Sequence, residues 1–192
     1  MAKRTSKKLP RRSRRASHRL SSGARVVIVA DTHSRPHPEA HRLVAEQQPE
    51  LILHAGDIGD LSVIEDLETI APVVSVRGNI DARGSFVPDD VHLELSWGDE
   101  RLDVFLTHIA LSGVRLRADV ARAAKAVGAS LVVCGHSHIP FLARDRGLQV
   151  FNPGSIGPRR FRLPIVFGVL EPGPRLSHVS CETGEPWLPV AV

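Results

Sequence analysis

Seven residues of metal-ligating type stand at or just beyond the ends of five apolar runs: Asp31 and His33, Asp57, Asn79, His108, and the pair His136 and His138. Carboxylate, amide and imidazole donors in this mixture suit two divalent cations sharing one oxygen bridge. Such donors favour Mn, Fe, Co, Ni or Zn over Ca or Mg. Two ions held about 3.5 to 4 Å apart can clamp the attacking and leaving oxygens of an in-line displacement and lower the pKa of a bound water. Taken singly, each residue has a plainer reading. Asp31 would serve as a helix N-cap, His33 would open a helix, Asp57 would sit in an ordinary loop, and Asn79 after Gly78 would make a turn. His108 alone would be a rim histidine with a satisfied ring. His136 and His138 are harder to read that way, because an i, i+2 pair beyond a strand can turn both rings into one pocket. The joint pattern carries the metal reading.

The runs that must position these residues are Arg25 to Ala30, Leu51 to His54, Val73 to Val76, Leu102 to Thr107 and Leu131 to Cys134. Short, continuous, β-branched runs fit strands buried on both faces. In an open α/β sheet, ligands collect beyond the carboxyl ends of the strands, so residues a hundred positions apart can meet there. The spacing predicts crossover helices over Pro38 to Gln48 and Asp60 to Ile70, with Asp60 capping the second, and a third helix over Leu116 to Val127 stopped by Gly128. Further strands are expected in LQVF, PIVFGVLE and RLSHVSCE, between Pro and Gly turns.

At 192 residues and 42% apolar composition the chain can build one good core, so a single domain over 25–192 is expected. Six Phe, two Trp and no Tyr argue against base stacking as the main mode of binding. The net charge of +4 hides an asymmetry. Ten of the 25 basic residues and no acid lie in positions 1 to 25, leaving 15 basic against 21 acidic residues over 26–192, a net of about −6. Residues 1–24 are therefore expected to be a basic, disordered tail. Nucleic-acid or anionic-surface binding and an organellar transit peptide are the alternative readings of that segment. It lacks the apolar core of a secretory signal, and no run of about 20 apolar residues exists to span a membrane. A cytoplasmic protein is the expectation. Cys134 lies within an apolar run and reads as a small buried hydrophobe, with a disulfide to Cys181 left open.

Asp31-Thr32-His33, Gly56-Asp57-Ile58-Gly59-Asp60, Gly78-Asn79-Ile80-Asp81, Thr107-His108 and Gly135-His136-Ser137-His138, in that order, resemble the motif series of the calcineurin-like metallophosphoesterase superfamily. Asn152-Pro153-Gly154-Ser155 and the compressed spacing resemble its small bacterial and archaeal phosphodiesterase branch, which is similar to the metallophosphoesterase-like subunit of retromer. The resemblance covers roughly residues 25 to 170. It implies an α/β fold, a four-layer α/β/β/α sandwich, and two divalent transition metal ions per chain, Mn foremost with Ni, Co, Fe or Zn as alternatives. It places Asp31, His33 and His138 on one ion and Asn79, His108 and His136 on the other, with Asp57 bridging. Asp57, Asn79 and His108 are the implied catalytic residues. The implied reaction is hydrolysis of a small phosphodiester or activated phosphate ester by a hydroxide activated at that centre. Asn152 is expected to steady the site, and Arg159 and Arg160 are candidates for a substrate phosphate.

Two positions depart from the superfamily pattern. Ile80 stands where many members carry a His that assists the leaving group, and Ile109 stands where Gly commonly follows the ligand His. An interaction scaffold of the retromer-subunit kind and a nuclease guided by the basic tail are the other functional classes, and homo-oligomerisation is left open. His54 is expected to be a core or supporting group. His37 and His41 are expected to face water, and His18, His92 and His178 have no partner that the sequence identifies.

Overall fold

A computed structural model describes residues 11–82 and 86–188. In chain order its elements are β1 (Ser13–Leu20), β2 (Arg25–Val29), α1 (Ala40–Glu46), β3 (Pro49–His54), α2 (Ser62–Glu68), β4 (Val73–Ser75) and β5 (Asp90–Trp97). There follow β6 (Glu100–Thr107), β7 (Leu111–Ser112), β8 (Arg115–Leu116), α3 (Ala118–Ala126), β9 (Leu131–Val133) and β10 (Phe141–Asp145). The chain finishes with β11 (Leu148–Asn152), β12 (Val166–Glu171), β13 (Arg175–Ser180) and β14 (Pro186–Trp187). Two six-stranded sheets carry the molecule, one in the order β1-β5-β6-β9-β11-β10 and the other in the order β14-β13-β12-β2-β3-β4.

Three clusters of buried side chains define the layers. Ile28 and Leu53 of one sheet meet Leu93, Val104, Leu131 and Phe151 of the other, forming the core between the sheets. The second sheet turns Val27, Ile52 and Phe167 outward against Leu43 and Val44 of α1 and Val63 and Leu67 of α2. The first turns Phe105, Val132 and Val150 outward against Val120, Ala121 and Ala124 of α3. The result is the α/β/β/α sandwich expected, with strands apolar on both faces because both faces are covered. Gly128, at φ 75°, ends α3 by sending its N–H to Lys125 O at 3.1 Å. Cys134 and Cys181 are buried and not bonded to one another. No helix among the described residues is long and apolar enough to cross a membrane.

The expected disordered tail needs correction over its second half. Ser13–Leu20 forms β1, paired in parallel with all of β5. Its residues alternate: Ala16 packs against the inter-sheet core and Leu20 is buried within it, while Arg15, Ser17 and Arg19 face solvent. Just before it, Arg11 Nε donates to Asp90 Oδ2 at 2.9 Å and Nη2 to Thr107 Oγ1 at 2.9 Å. Edge pairing along eight residues satisfies backbone groups that a charged sequence would otherwise leave to water. Residues 1–10 of the expected tail lie outside the described residues. Sequence reading also passed over β5 and β10. The alternation Val91, Leu93, Leu95, Trp97 was a readable period-2 signal, and all four side chains are buried.

Phe151 is fully buried between the sheets, whereas Phe161 is 95% exposed. Phe151→Ala should cost about 3–5 kcal/mol of unfolding free energy, and Phe161→Ala should stay within about 0.5 kcal/mol. Urea denaturation followed by far-ultraviolet circular dichroism measures both, and comparable losses would show that the inter-sheet core is misplaced.

Candidate metal centre

The parallel strands β2, β3 and β4 of one sheet and β6 and β9 of the other deliver their carboxyl ends to one rim. Asp31 and His33 follow β2, Asp57 follows β3, Asn79 follows β4, His108 follows β6, and His136 and His138 follow β9. Past the strands the backbones stay laced together: Asp31 N donates to Gly56 O at 2.9 Å, His33 N to Asp57 O at 3.0 Å, and Gly135 N to His108 O at 3.0 Å. The structure thus brings all seven residues to one place.

Their donor atoms form two groups. Asp31, His33 and His138 each offer an atom within 4.8 Å of the others, and so do Asp57, His108 and His136. His33 Nε2 lies 3.2 Å from His138 Nε2, which is 3.4 Å from Asp31 Oδ1. In the second group His108 Nε2 is 3.1 Å from Asn79 Oδ1, and His136 Nδ1 is 2.9 Å from the same oxygen. Asp57 stands between the groups, with Oδ2 3.8 Å from His33 Nε2 and Oδ1 3.2 Å from His108 Nε2. Asp31 Oδ1 and His138 Nδ1 are buried with no hydrogen-bond partner among the described residues. A buried carboxylate oxygen left without a hydrogen-bond donor beside imidazole nitrogens fits a cation site.

Five of these residues hold left-handed backbones: Asp31 at φ 56°, His33 at 47°, Asp57 at 53°, His136 at 72° and His138 at 59°. Non-glycine residues at such angles cost energy and persist where their surroundings impose them. Here the surroundings are tight. A Cβ on Gly78 would come within 2.1 Å of Asp57 N and Oδ1. One on Gly135 would come within 2.8 Å of Asp31 Oδ2. These glycines let the four loops that carry Asp31, Asp57, Asn79 and His136 close on each other in pairs.

Hydrogen bonds aim the ligands. His108 Nδ1–H donates to Ala55 O at 2.7 Å, which turns Nε2 toward Asn79 and Asp57. Asp31 Oδ2 accepts the His136 N–H at 2.9 Å, leaving Oδ1 for the cluster. His54, expected as a core or supporting group, is fully buried; its Nδ1 accepts the Gly56 N–H at 3.2 Å, and its Nε2–H faces Thr32 Oγ1 at 3.0 Å. Thr32 Oγ1 in turn donates to Ile58 O at 2.9 Å. Asn152 Nδ2 donates to Gly135 O at 2.7 Å and Ser137 Oγ at 3.1 Å, bracing the loop that carries His136 and His138. Ser155 Oγ holds Asp31 O at 3.0 Å.

Sequence reading quoted Asp81 but gave it no role. Its Oδ2 accepts Gly78 N at 2.7 Å and Ile58 N at 3.2 Å, and its Oδ1 accepts Gly59 N at 2.9 Å, so one carboxylate ties the Asp57 loop to the Asn79 loop. The available signal was an acid two residues after a candidate ligand. Asp60, expected to cap α2, stands one residue before the N-cap position, which Leu61 occupies; its Oδ1 accepts Ser62 N at 3.1 Å in the turn that leads into the helix. Two histidines left without partners by the sequence have them. His92 Nε2 pairs with Asp103 Oδ1 at 2.7 Å, and His178 Nε2 donates to Asn152 O at 2.8 Å while stacking on Phe151.

The electrostatics favour neutral rings at His33 and His136. Burial lowers the pKa of His33, with Asp57 opposing and Arg160 reinforcing the shift, and burial likewise lowers that of His136. Burial takes His54 down to about 4. For Asp57 burial opposes ionisation, but the contacts from His108 and Ile80 N outweigh it and hold the carboxyl below its ordinary range. Burial also opposes a charge on His108, and there the Asp57 hydrogen bond prevails and raises the pKa.

A sequence model of the calcineurin-like phosphoesterase superfamily domain matches residues 25–173. A probable metallophosphoesterase of Methanothermobacter thermautotrophicus is 32% identical over 167 residues, covering 83% of this chain and 92% of the relative. The probable metallophosphoesterase YsnB of Bacillus subtilis is 31% identical over 153 residues, 76% of this chain and 82% of its own. Among solved structures, vacuolar protein sorting 29 of Cryptosporidium parvum superposes with a TM-score of 0.67 at 16% identity, covering 86% of this chain and 95% of that one. A structure described as a novel archaeal phosphodiesterase gives 0.63 at 21% identity, covering 81% and 99%.

In metal-free protein, ring-carbon NMR should place the His108 pKa above the ordinary 6.5 and those of His33 and His136 below it. The protonated His108 pair with Asp57 then stabilises the metal-free fold below pH 6.5, and that contribution fades as pH rises through the raised value. His108 titrating below His136 would contradict the arrangement of the second group.

Proposed function

We propose that this chain, which belongs to the calcineurin-like phosphoesterase superfamily, is a phosphodiesterase with a dinuclear metal centre. The observation that carries this reading is the position of Asp57, whose two carboxylate oxygens face different donor groups, 3.8 Å from His33 and 3.2 Å from His108. In this assignment Asp31, His33 and His138 hold one ion, Asn79, His108 and His136 hold the other, and Asp57 bridges them. Divalent ions bound there would supply Lewis-acid polarisation of a phosphoryl oxygen and a lowered water pKa. Transition metals, Mn foremost, suit these donors.

The chain's own residues do the rest. Imidazoles at His33 and His136, whose pKa values burial lowers, keep the cluster from becoming too anionic to admit a phosphate. Arg160, with Nη2 3.1 Å from His33 Nε2, supplies a cation at the outer edge of the first group and is the candidate to bind a non-bridging phosphate oxygen. Arg159 instead pairs with Glu182 at 2.5 Å, which leaves it less suited to that task.

Leaving-group assistance is where the residues set a limit. The Ile80 side chain is 48% exposed at the rim and has no proton to give, while its backbone N–H is spent on Asp57 Oδ1 at 3.1 Å. His54 is sealed behind Thr32 with its pKa near 4, so it does not replace the missing acid. Arg83, another candidate for that role, lies outside the described residues. Esters with good leaving groups are therefore the preferred substrates.

With metal-loaded protein, bis(p-nitrophenyl) phosphate should be hydrolysed with a kcat/KM about 10²–10⁴-fold above that for alkyl phosphomonoesters, the range that general-acid assistance ordinarily supplies. The logarithm of kcat/KM should fall steeply with leaving-group pKa. Arg160→Ala should raise KM by about tenfold with a smaller change in kcat, since it loses a charged hydrogen bond to the ground state as well as the transition state. Preference for alkyl monoesters, or no metal-dependent hydrolysis, would overturn the proposal.

A further inference from the structure

Two cavities open beside the second donor group, and they differ in chemistry. One, of about 220 Å³, is lined by Arg77, Asn79, Asp81, Thr107 and His108 and is of mixed polarity. The other, of about 440 Å³, is lined by Leu111, Val114, Ile139 and Phe141 together with His136. Ile109 belongs to the lining of both. The group made by Asn79, His108 and His136 thus contributes to each chamber, and Ile109 is common to both linings.

Of the side chains lining the apolar chamber, Leu111 and Phe141 pack against the third buried cluster, whereas nothing in the fold requires Val114 and Ile139 to be apolar. Val114 is 70% exposed at the tip of the β7–β8 hairpin, and Ile139 is 50% exposed one residue beyond His138. Neither joins any of the three buried clusters. Apolar side chains gathered in a cleft of this volume mark ligand sites more often than chance exposure.

We infer that this groove seats an apolar ester arm, aryl or branched alkyl, of a diester whose phosphate lies at the metal centre, with Ile109 sorting that arm from a polar arm in the smaller chamber. The inference rests on the phosphodiesterase reading for the phosphate's position and deepens it by naming the substrate class: asymmetric diesters with one apolar substituent. Continuity carries it, because His136 is at once a donor of the cluster and a wall of the groove. A phosphorus atom has two ester oxygens to direct, and here there are two chambers, one of mixed polarity and one chiefly apolar. Gly at position 109 would merge them. Isoleucine keeps water in the smaller chamber away from the apolar one and gives an apolar arm a second contact face.

The test uses diphenyl phosphate and dimethyl phosphate as probes on zinc-loaded protein, with calorimetry for affinity and isoleucine-methyl NMR for location. Diphenyl phosphate should bind at least about tenfold more tightly, the scale on which apolar pockets discriminate, and should shift the Ile109 and Ile139 methyl signals. Ile139→Asp, or Val114→Asp should the first variant fold poorly, should bring the ratio of the two affinities close to one. Ile109→Gly should lower the ratio and let the probe shift reach residues of the smaller chamber. Equal affinities for the two probes in the wild type, or methyl shifts confined to residues away from the groove, would overturn the inference, as would a ratio unmoved by the aspartate variants; a groove reserved for a protein partner would give that result. Hydrolysis of bis(p-nitrophenyl) phosphate separates the two levels. Retained hydrolysis without probe selectivity removes only the groove, whereas probe selectivity without hydrolysis removes the phosphodiesterase reading and leaves the groove.

Discussion

A carboxylate that must face two ways is the constraint on which the rest of the rim depends. Asp57 reaches His33 with one oxygen and His108 with the other only because its backbone sits at φ 53° and a glycine, Gly78, presses against it where any Cβ would collide. Those demands spread. The loop after β4 has to come close enough to touch Asp57, and Asp81 ties it there through Gly78, Ile58 and Gly59 N–H groups. Left-handed backbones at Asp31, His33, His136 and His138 are the same requirement met on the other loops. Strain of this kind is tolerated because two sheets with three packed cores hold the strand ends rigidly.

Charge follows from the same arrangement. A buried anion beside several rings favours a proton or a metal ion between them, and burial disfavours the proton on His33 and His136. His108 is the exception, because it lies directly on Asp57. The cluster therefore offers nitrogen donors, neutral at His33 and His136, around two carboxylates, a composition suited to transition-metal ions and still able to admit an anionic ester. Arg160 at one edge and the apolar groove at the other give the opening a polarity of its own.

Much of this was legible in the residues. The runs VVIV, LILH and LVV read as buried strands because both of their faces are covered, and the ligands read as a set because each followed such a run. The crossover helices and the Gly128 stop were legible by the same periodicity. What escaped depended on tertiary placement. β1 is Arg- and Ser-rich, and only its pairing with β5 makes a strand of it. β5 carries a period-2 alternation in Val91, Leu93 and Leu95 but ends in no residue of metal-ligating role, so the pattern of runs followed by donors does not mark it. The roles of Asp81 and Thr32 lie in backbone N–H and C=O groups of distant loops, which no local pattern reveals. His178 and Asn152, 26 positions apart, meet only because β13 packs behind the rim.

The measurement closest to the central claim is zinc stoichiometry by calorimetry and elemental analysis, on the wild type and on Asp57→Asn. A shared carboxylate predicts two ions per chain in the wild type and, in Asp57→Asn, loss of one ion or a drop in affinity for both that exceeds the 10–100-fold typical of residues which only support a ligand. Two ions bound by Asp57→Asn with wild-type affinity, or a single saturable ion in the wild type, would contradict the bridge.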